Sequence, residues 1–243
     1  MWYFHLFFRY KALIVPERQR AQTVIEEKPE TEHHLETSDC RRPRKGRIQM
    51  LQPLLELKHD HEAIESVVEA MSAAAERLQH GEELSHELVQ EFSTFMHTFA
   101  DACHHAKEEK YLFPLVEKKH IGDINLHLRR LEEEHLASRT LLSRFDQLSV
   151  AYLSKRPGAR ESLVQVMNEI AELYRRHIWE EDHIFLPLLE GTLTPVEQRW
   201  LRDKFSEVEW YIGLDVHRRY EVLADKVRLL AEPSESAHLH SHA

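Results

Sequence analysis

Four stretches between residues 50 and 190 place an apolar side chain at every third or fourth position, and each stripe is interrupted near its middle by a histidine. The first links Leu54, Leu57, His61, Ile64, Val68, Met71, Ala75 and Leu78. The second runs through Phe92, Met96, Ala100, His104, Glu108, Leu112 and Leu115. The third carries Ile124, Leu128, Leu131, His135, Ser138, Leu142, Phe145 and Leu148; the fourth carries Leu163, Met167, Ile170, Tyr174, His177, Glu181, Ile184 and Leu188. Steps of three and four give the one-faced stripe of an amphipathic helix. Turn signals separate the stripes: "HGEE" at 80–83, "IGD" at 121–123, "SKRPGAR" at 154–160 and "EGTLTP" at 190–195. Short links between long helices predict an all-α protein, an antiparallel up-down-up-down four-helix bundle over 50–190. A further stripe through Leu201, Phe205, Val208, Ile212, Val216, Tyr220, Leu223 and Val227 predicts an additional C-terminal helix within 191–230, packed on the bundle. Six glycines and nine prolines in 243 residues suit a chain that is almost all helix.

The interruptions repeat. His61 precedes His104 by 43 residues and His135 precedes His177 by 42. Each half is one helix with a single inward histidine, followed by one with His-x-x-x-Glu and then a Phe/Leu/Pro signature. Residues four apart on a helix share a face and differ in height by about 6 Å, so each His/Glu pair can aim at one centre. Two hairpins about a pseudo-twofold axis would then converge four histidines and two glutamates. Burying two unpaired carboxylates together costs several kcal/mol or more, a cost that metal cations remove. Imidazole and carboxylate without thiolate suit iron, manganese or zinc, and two glutamates able to bridge favour a two-metal centre, for which iron fits best. The competing reading is ordinary: a lone inward histidine is usually a hydrogen-bonded core residue, and a lone i,i+4 His/Glu pair is usually a surface ion pair. Six such residues in a repeated pattern weigh against it.

Other donors fall around these six. His59, Glu134 and Asp182 neighbour the inward positions and are candidates for outer partners or substitute ligands. His105 and Glu109 also have the i,i+4 spacing but lie about 100° round an α-helix from the inward stripe. Cys103 reads as a small core residue. His80, His86, His97, His120, His127 and His183 read as surface or packing residues.

Composition removes some functions. A formal charge of −10 argues against a nucleic-acid partner. Two cysteines, Cys40 and Cys103, form no disulfide framework and fit a reducing cytoplasm. The N-terminal "MWYFHLFFRYKALIVP" is interrupted by His5, Arg9, Tyr10 and Lys11 and is too short for stable membrane insertion. Residues 1–49 are expected to be a disordered extension, with the working protein starting at Met50, and 231–243 a disordered His-containing tail.

Several segments together resemble the hemerythrin-like, HHE cation-binding family: "LLELKHDHEAIESVVEAM" (54–71), "FADACHHAKEEKYLFPLVE" (99–117), "EEEHLASRTLL" (132–142) and "HIWEEDHIFLPLLE" (177–190). "FSEVEWYIGLDVHRRYEVLADKV" (205–227) is similar to the fifth helix of a prokaryotic subgroup, although Asp215 and Arg218 depart from its usual pattern. The resemblance implies a bundle holding two non-haem iron ions, bridged by carboxylates and by an oxo or hydroxo group. His61, His104, His135 and His177 match terminal ligands, and Glu108 and Glu181 match bridging ones. It implies binding of dioxygen or a related small molecule, nitric oxide or peroxide, for sensing, buffering or stress protection. The alternatives are a diiron enzyme (peroxide removal, iron oxidation or iron–sulfur repair) and a structural bundle with a vestigial site. Oxygen carriers of the family have a second histidine where this chain has Leu131. By the family's ligand count that leaves about two open coordination sites rather than about one, unless Glu134, His59 or water fills in, which points away from pure oxygen transport.

Overall fold

The computed structural model describes residues 52–231, apart from 120 and 214; the expectations for residues 1–49, for His120 and for the tail after Ala231 fall outside that range. Among the described residues all regular structure is helical. Helix α1 (Gln52–Gln79) buries every member of its sequence stripe, His61 included. It stops at Gly81, whose φ of +91° is left-handed and favours a residue without Cβ. There the Gly81 and Glu82 N–H groups donate back to the Leu78 and Arg77 carbonyls at 3.1 and 3.0 Å. Ser85 opens α2 (86–117), its side chain accepting the Leu88 N–H at 3.1 Å. Helix α3 (Ile124–Leu153), α4 (159–189), α5 (Pro195–Ile212) and α6 (Val216–Ala231) follow. A reciprocal cap between Thr194 and Glu197 opens α5. The C-terminal helix expected in one piece is two, because Gly213 (φ +138°) and Asp215 (φ +55°) turn the chain. Any side chain at 213 would lie 2.7 Å from Arg219 Nη1.

Helices α2 and α4 are not α-helical throughout. Met96–His105 and Glu108–Leu112 in α2, and Glu181–Phe185 in α4, are wound as wider π turns. The Phe113 N–H donates to the Glu108 carbonyl and the Leu186 N–H to the Glu181 carbonyl, five residues back instead of four. At both places a proline follows at once, Pro114 and Pro187. A helix-interior proline has no N–H and its ring crowds the carbonyl four residues back, so a turn that opens just before it relieves the clash. The Phe/Leu/Pro signature thus widens the helix at the two glutamates.

Helix α1 packs along α4 and α6, α3 packs along α4, and α6 also covers the start of α2. The interior separates into two apolar clusters. One gathers Ile64, Phe92, Phe99, Leu142, Met167 and Tyr174 with their neighbours; the other gathers Leu57, Leu112, Phe113, Leu131, Phe185 and Phe205. His61 falls between Leu57 and Ile64, and His104 and Glu108 between Ala100 and Leu112. His135 falls between Leu131 and Leu142, and His177 and Glu181 between Tyr174 and Phe185. A polar layer therefore divides the core. Each buried apolar side chain contributes roughly 1.5–3 kcal/mol, so the layer forgoes that at six positions and needs another source of stability.

Candidate metal centre

All six inward residues are almost or completely buried and face one focus. His61 Nε2 and His104 Nε2 lie 3.2 Å apart, and His135 Nε2 and His177 Nε2 repeat that separation. His61 Nε2 is 2.9 Å from Glu181 Oε2, and His177 Nε2 is 3.5 Å from the same oxygen. Glu108 Oε2 stands 3.4 Å from His135 Nε2 and 3.7 Å from His104 Nε2. Two sets result, His61/His104 and His135/His177, each completed by both Glu108 and Glu181. Within a set every donor atom lies within 4.8 Å of the others.

Behind each imidazole stands a carboxylate. His61 Nδ1 donates to Asp182 at 2.8 Å and His135 Nδ1 to Glu109 at 2.8 Å. His104 Nδ1 faces Asp60 at 3.4 Å and His177 Nδ1 donates to Glu134 at 3.1 Å. The pattern is twofold: the residue after each inward glutamate serves one histidine, and the residue before each single histidine serves another. A proton fixed on Nδ1 leaves the Nε2 lone pair aimed at the focus.

The electrostatics show what the focus demands. Burial alone would depress the His61 imidazole, but its hydrogen bond to Asp182 and the Glu181 carboxylate 2.9 Å away raise its pKa to about 10. Burial opposes His135 likewise, and Glu108 and Glu109 raise it to about 9. Glu181 is held well below the usual carboxylate range: burial pushes it up, and His177 and His61 more than reverse this. Even so, no oxygen of Glu108 or Glu181 accepts a well-aligned hydrogen bond. Four buried acceptor atoms lie opposite four imidazole nitrogens, a donor set that suits hard or borderline cations. The residues present therefore fit a metal group.

Of the neighbouring candidates, Glu134 and Asp182 hold imidazoles from behind. His59 turns outward, 54% exposed, to Glu62 and Glu221. His105 and Glu109 are displaced from their α-helical expectation. The π turns advance each residue through a smaller angle, so His104 and His105 both point inward and Glu109 reaches His135. His105 is fully buried, its ring stacked 3.8 Å from that of His135. Burial and the nearby imidazoles push its pKa well down. Cys103 is a core residue whose thiol burial pushes up to about 12. His97 pairs with Asp146, and His127 with Glu180.

Sequence reasoning missed a second buried cluster. Lys107 Nζ lies 3.0 Å from Asp60, 3.0 Å from Glu56 and 2.7 Å from Glu209. His217 reaches Asp60 at 3.2 Å and also bonds Glu209. Burial raises Asp60, but Lys107 and His104 bring it down to about 2. Glu56, Glu209 and His217 also form a grouping of metal-donor type, but the Lys107 ammonium already supplies the cation there. The only signal was a lysine one residue before an inward glutamate.

Residues 52–189 match the model of the family described as Hemerythrin HHE cation binding domain. Uncharacterized proteins of Mycobacterium bovis and of two strains of Mycobacterium tuberculosis are 25% identical to this chain over 166 residues. The matched region is 68% of this chain and 61% of each relative, so the chain spans about three-fifths of their length. No helix among the described residues is long and apolar enough to cross a membrane.

Proposed function

The chain belongs to the hemerythrin HHE cation-binding family, and we propose that it is a cytoplasmic non-haem diiron protein that binds dioxygen, nitric oxide or peroxide for sensing, buffering or stress protection. In this reading α1 to α4 make an antiparallel up-down-up-down four-helix bundle, and α5 and α6 form an added C-terminal unit. His61 and His104 would hold one ion and His135 and His177 the other, with Glu108 and Glu181 available to both. The observation that carries the reading is that both carboxylates serve both histidine pairs while none of their oxygens accepts a well-aligned hydrogen bond.

Two irons held there would supply electrons and open coordination for a small oxidant. The protein contributes the rest. Asp182, Asp60, Glu109 and Glu134 fix the imidazole tautomers, so little reorganisation is needed at the centre. The apolar layers on either side, with Leu57, Leu112, Leu131 and Phe185 towards one end, keep bulk water from the carboxylates.

A diiron enzyme is the second reading, favoured by Leu131, which is fully buried and brings no donor from the turn before His135. Optical spectra of iron-loaded protein during cycles of oxygen addition and removal separate the two. A change that reverses over repeated cycles supports binding. Sustained consumption of hydrogen peroxide with no reversible species would replace binding with catalysis.

A further inference from the structure

We propose that His105 is a fifth histidine donor, serving the ion held by His135 and His177 and making the two metal positions unequal. The inference rests on the dinuclear reading above and adds a ligand to it. His105 is fully buried, and its Nε2 has no hydrogen-bond partner. A ring nitrogen of His105 lies within 4.8 Å of donor nitrogens of both His135 and His177. Its Nδ1 faces Asp101 at 3.4 Å, and Arg139 Nε holds that same Asp101 oxygen at 2.8 Å. His105 thus shares with the other four a carboxylate behind Nδ1, and among these histidines its Nε2 is the unpartnered one.

Packing alone does not account for it. The ring stacks on His135 and, at 6.0 Å, on Tyr174, and a phenylalanine would stack equally well. An imidazole buried there instead leaves Nε2 without the hydrogen-bond partner that it would have in water. In the other half of the molecule the residue after His177 is Ile178, so the extra nitrogen exists on one side only. The position of His61 and His104 then keeps fewer protein donors and is the one left open to a small molecule.

The test loads the full chain with cobalt(II) and records proton NMR in water, where each metal-bound imidazole contributes one strongly shifted, exchangeable Nδ1–H signal. Five such signals support the proposal; four, from a protein holding two cobalt ions, overturn it and leave the dinuclear reading standing. A wild-type chain that binds fewer than two ions overturns both. His105→Phe keeps the stack and removes the nitrogen. It should lose one signal and weaken one of the two cobalt affinities by at least about tenfold, whereas His86→Phe changes neither. Unaltered cobalt binding by a folded His105→Phe protein contradicts the assignment, and the wild-type signal count decides the matter if that variant does not fold.

Discussion

Two buried acidic clusters adjoin in this molecule, one around Lys107 and one around Glu108 and Glu181, and they solve the same electrostatic problem differently. The first gathers Glu56, Asp60 and Glu209 and supplies its own cation, a lysine with no exposed surface. Burial would neutralise that lysine, but Asp60 and the other acids raise its pKa and keep it charged. The second gathers two carboxylates and four imidazoles, and its only positive charge is protons taken up by imidazoles such as His61 and His135. Asp60 joins the two, its Oδ2 accepting from Lys107 Nζ at 3.0 Å and facing His104 Nδ1 at 3.4 Å. A cluster that contains its cation is a structural joint, here tying α1, α2 and α5. A cluster whose positive charge is only protons on imidazoles can exchange them for a metal cation.

Predictions that would break or sharpen this contrast begin with the shared carboxylates. Glu108→Ala or Glu181→Ala removes a donor from both positions, so bound iron should fall from about two per chain towards none, an affinity loss well beyond about 100-fold. Metal analysis after anaerobic loading checks it, and near-wild-type iron in either variant would break the contrast. Lys107→Met should act on the other side. It takes the ammonium from buried Asp60 and from the partly exposed Glu56 and Glu209, leaving only imidazoles beside Asp60 and Glu209, and should destabilise the fold by about 3 kcal/mol, without recovery on adding iron. Thermal denaturation with and without iron measures this, and a variant as stable as the parent would show that the lysine is dispensable.

Smaller effects follow at the outer carboxylates. Asp182→Asn or Glu109→Gln keeps every inward donor but loosens one imidazole, so iron affinity should drop by about 10–100-fold. Competition with a chelator reads the drop. The weakest effect belongs to an acid–histidine pair that belongs to neither cluster. Burial lowers His97, but the hydrogen bond from its Nε2 to Asp146 outweighs this and raises its pKa above the usual 6.5. Its contribution is complete below about pH 6.5 and is lost as pH rises through the higher folded value. Because the ring is partly exposed, that contribution should stay under about 1 kcal/mol. Asp146→Asn should flatten the fall in melting temperature as pH rises above about 6.5.

Much of this was legible in the residues. The apolar stripes have an α-helical period, and Leu54, Leu57, Ile64, Val68, Met71 and Leu78 are buried as that period requires. The six inward polar positions share one layer because each half of the repeat spaces its histidines alike. What escaped has physical causes. His105 and Glu109 were misplaced because an α-helical wheel cannot represent the wider turns ahead of Pro114 and Pro187. Lys107 and its acids come from three helices far apart in sequence, and only packing assembles them. Gly213 is plain in the sequence, but the apolar period carries across it and so predicts one long helix.

The account stands most directly on a crystal structure of the iron-loaded protein with anomalous scattering recorded at the iron edge. It predicts two peaks, each in contact with both Glu108 and Glu181, one beside His61 and His104 and the other beside His135 and His177. Absence of anomalous density between the two carboxylates, in a folded and iron-saturated sample, would contradict it.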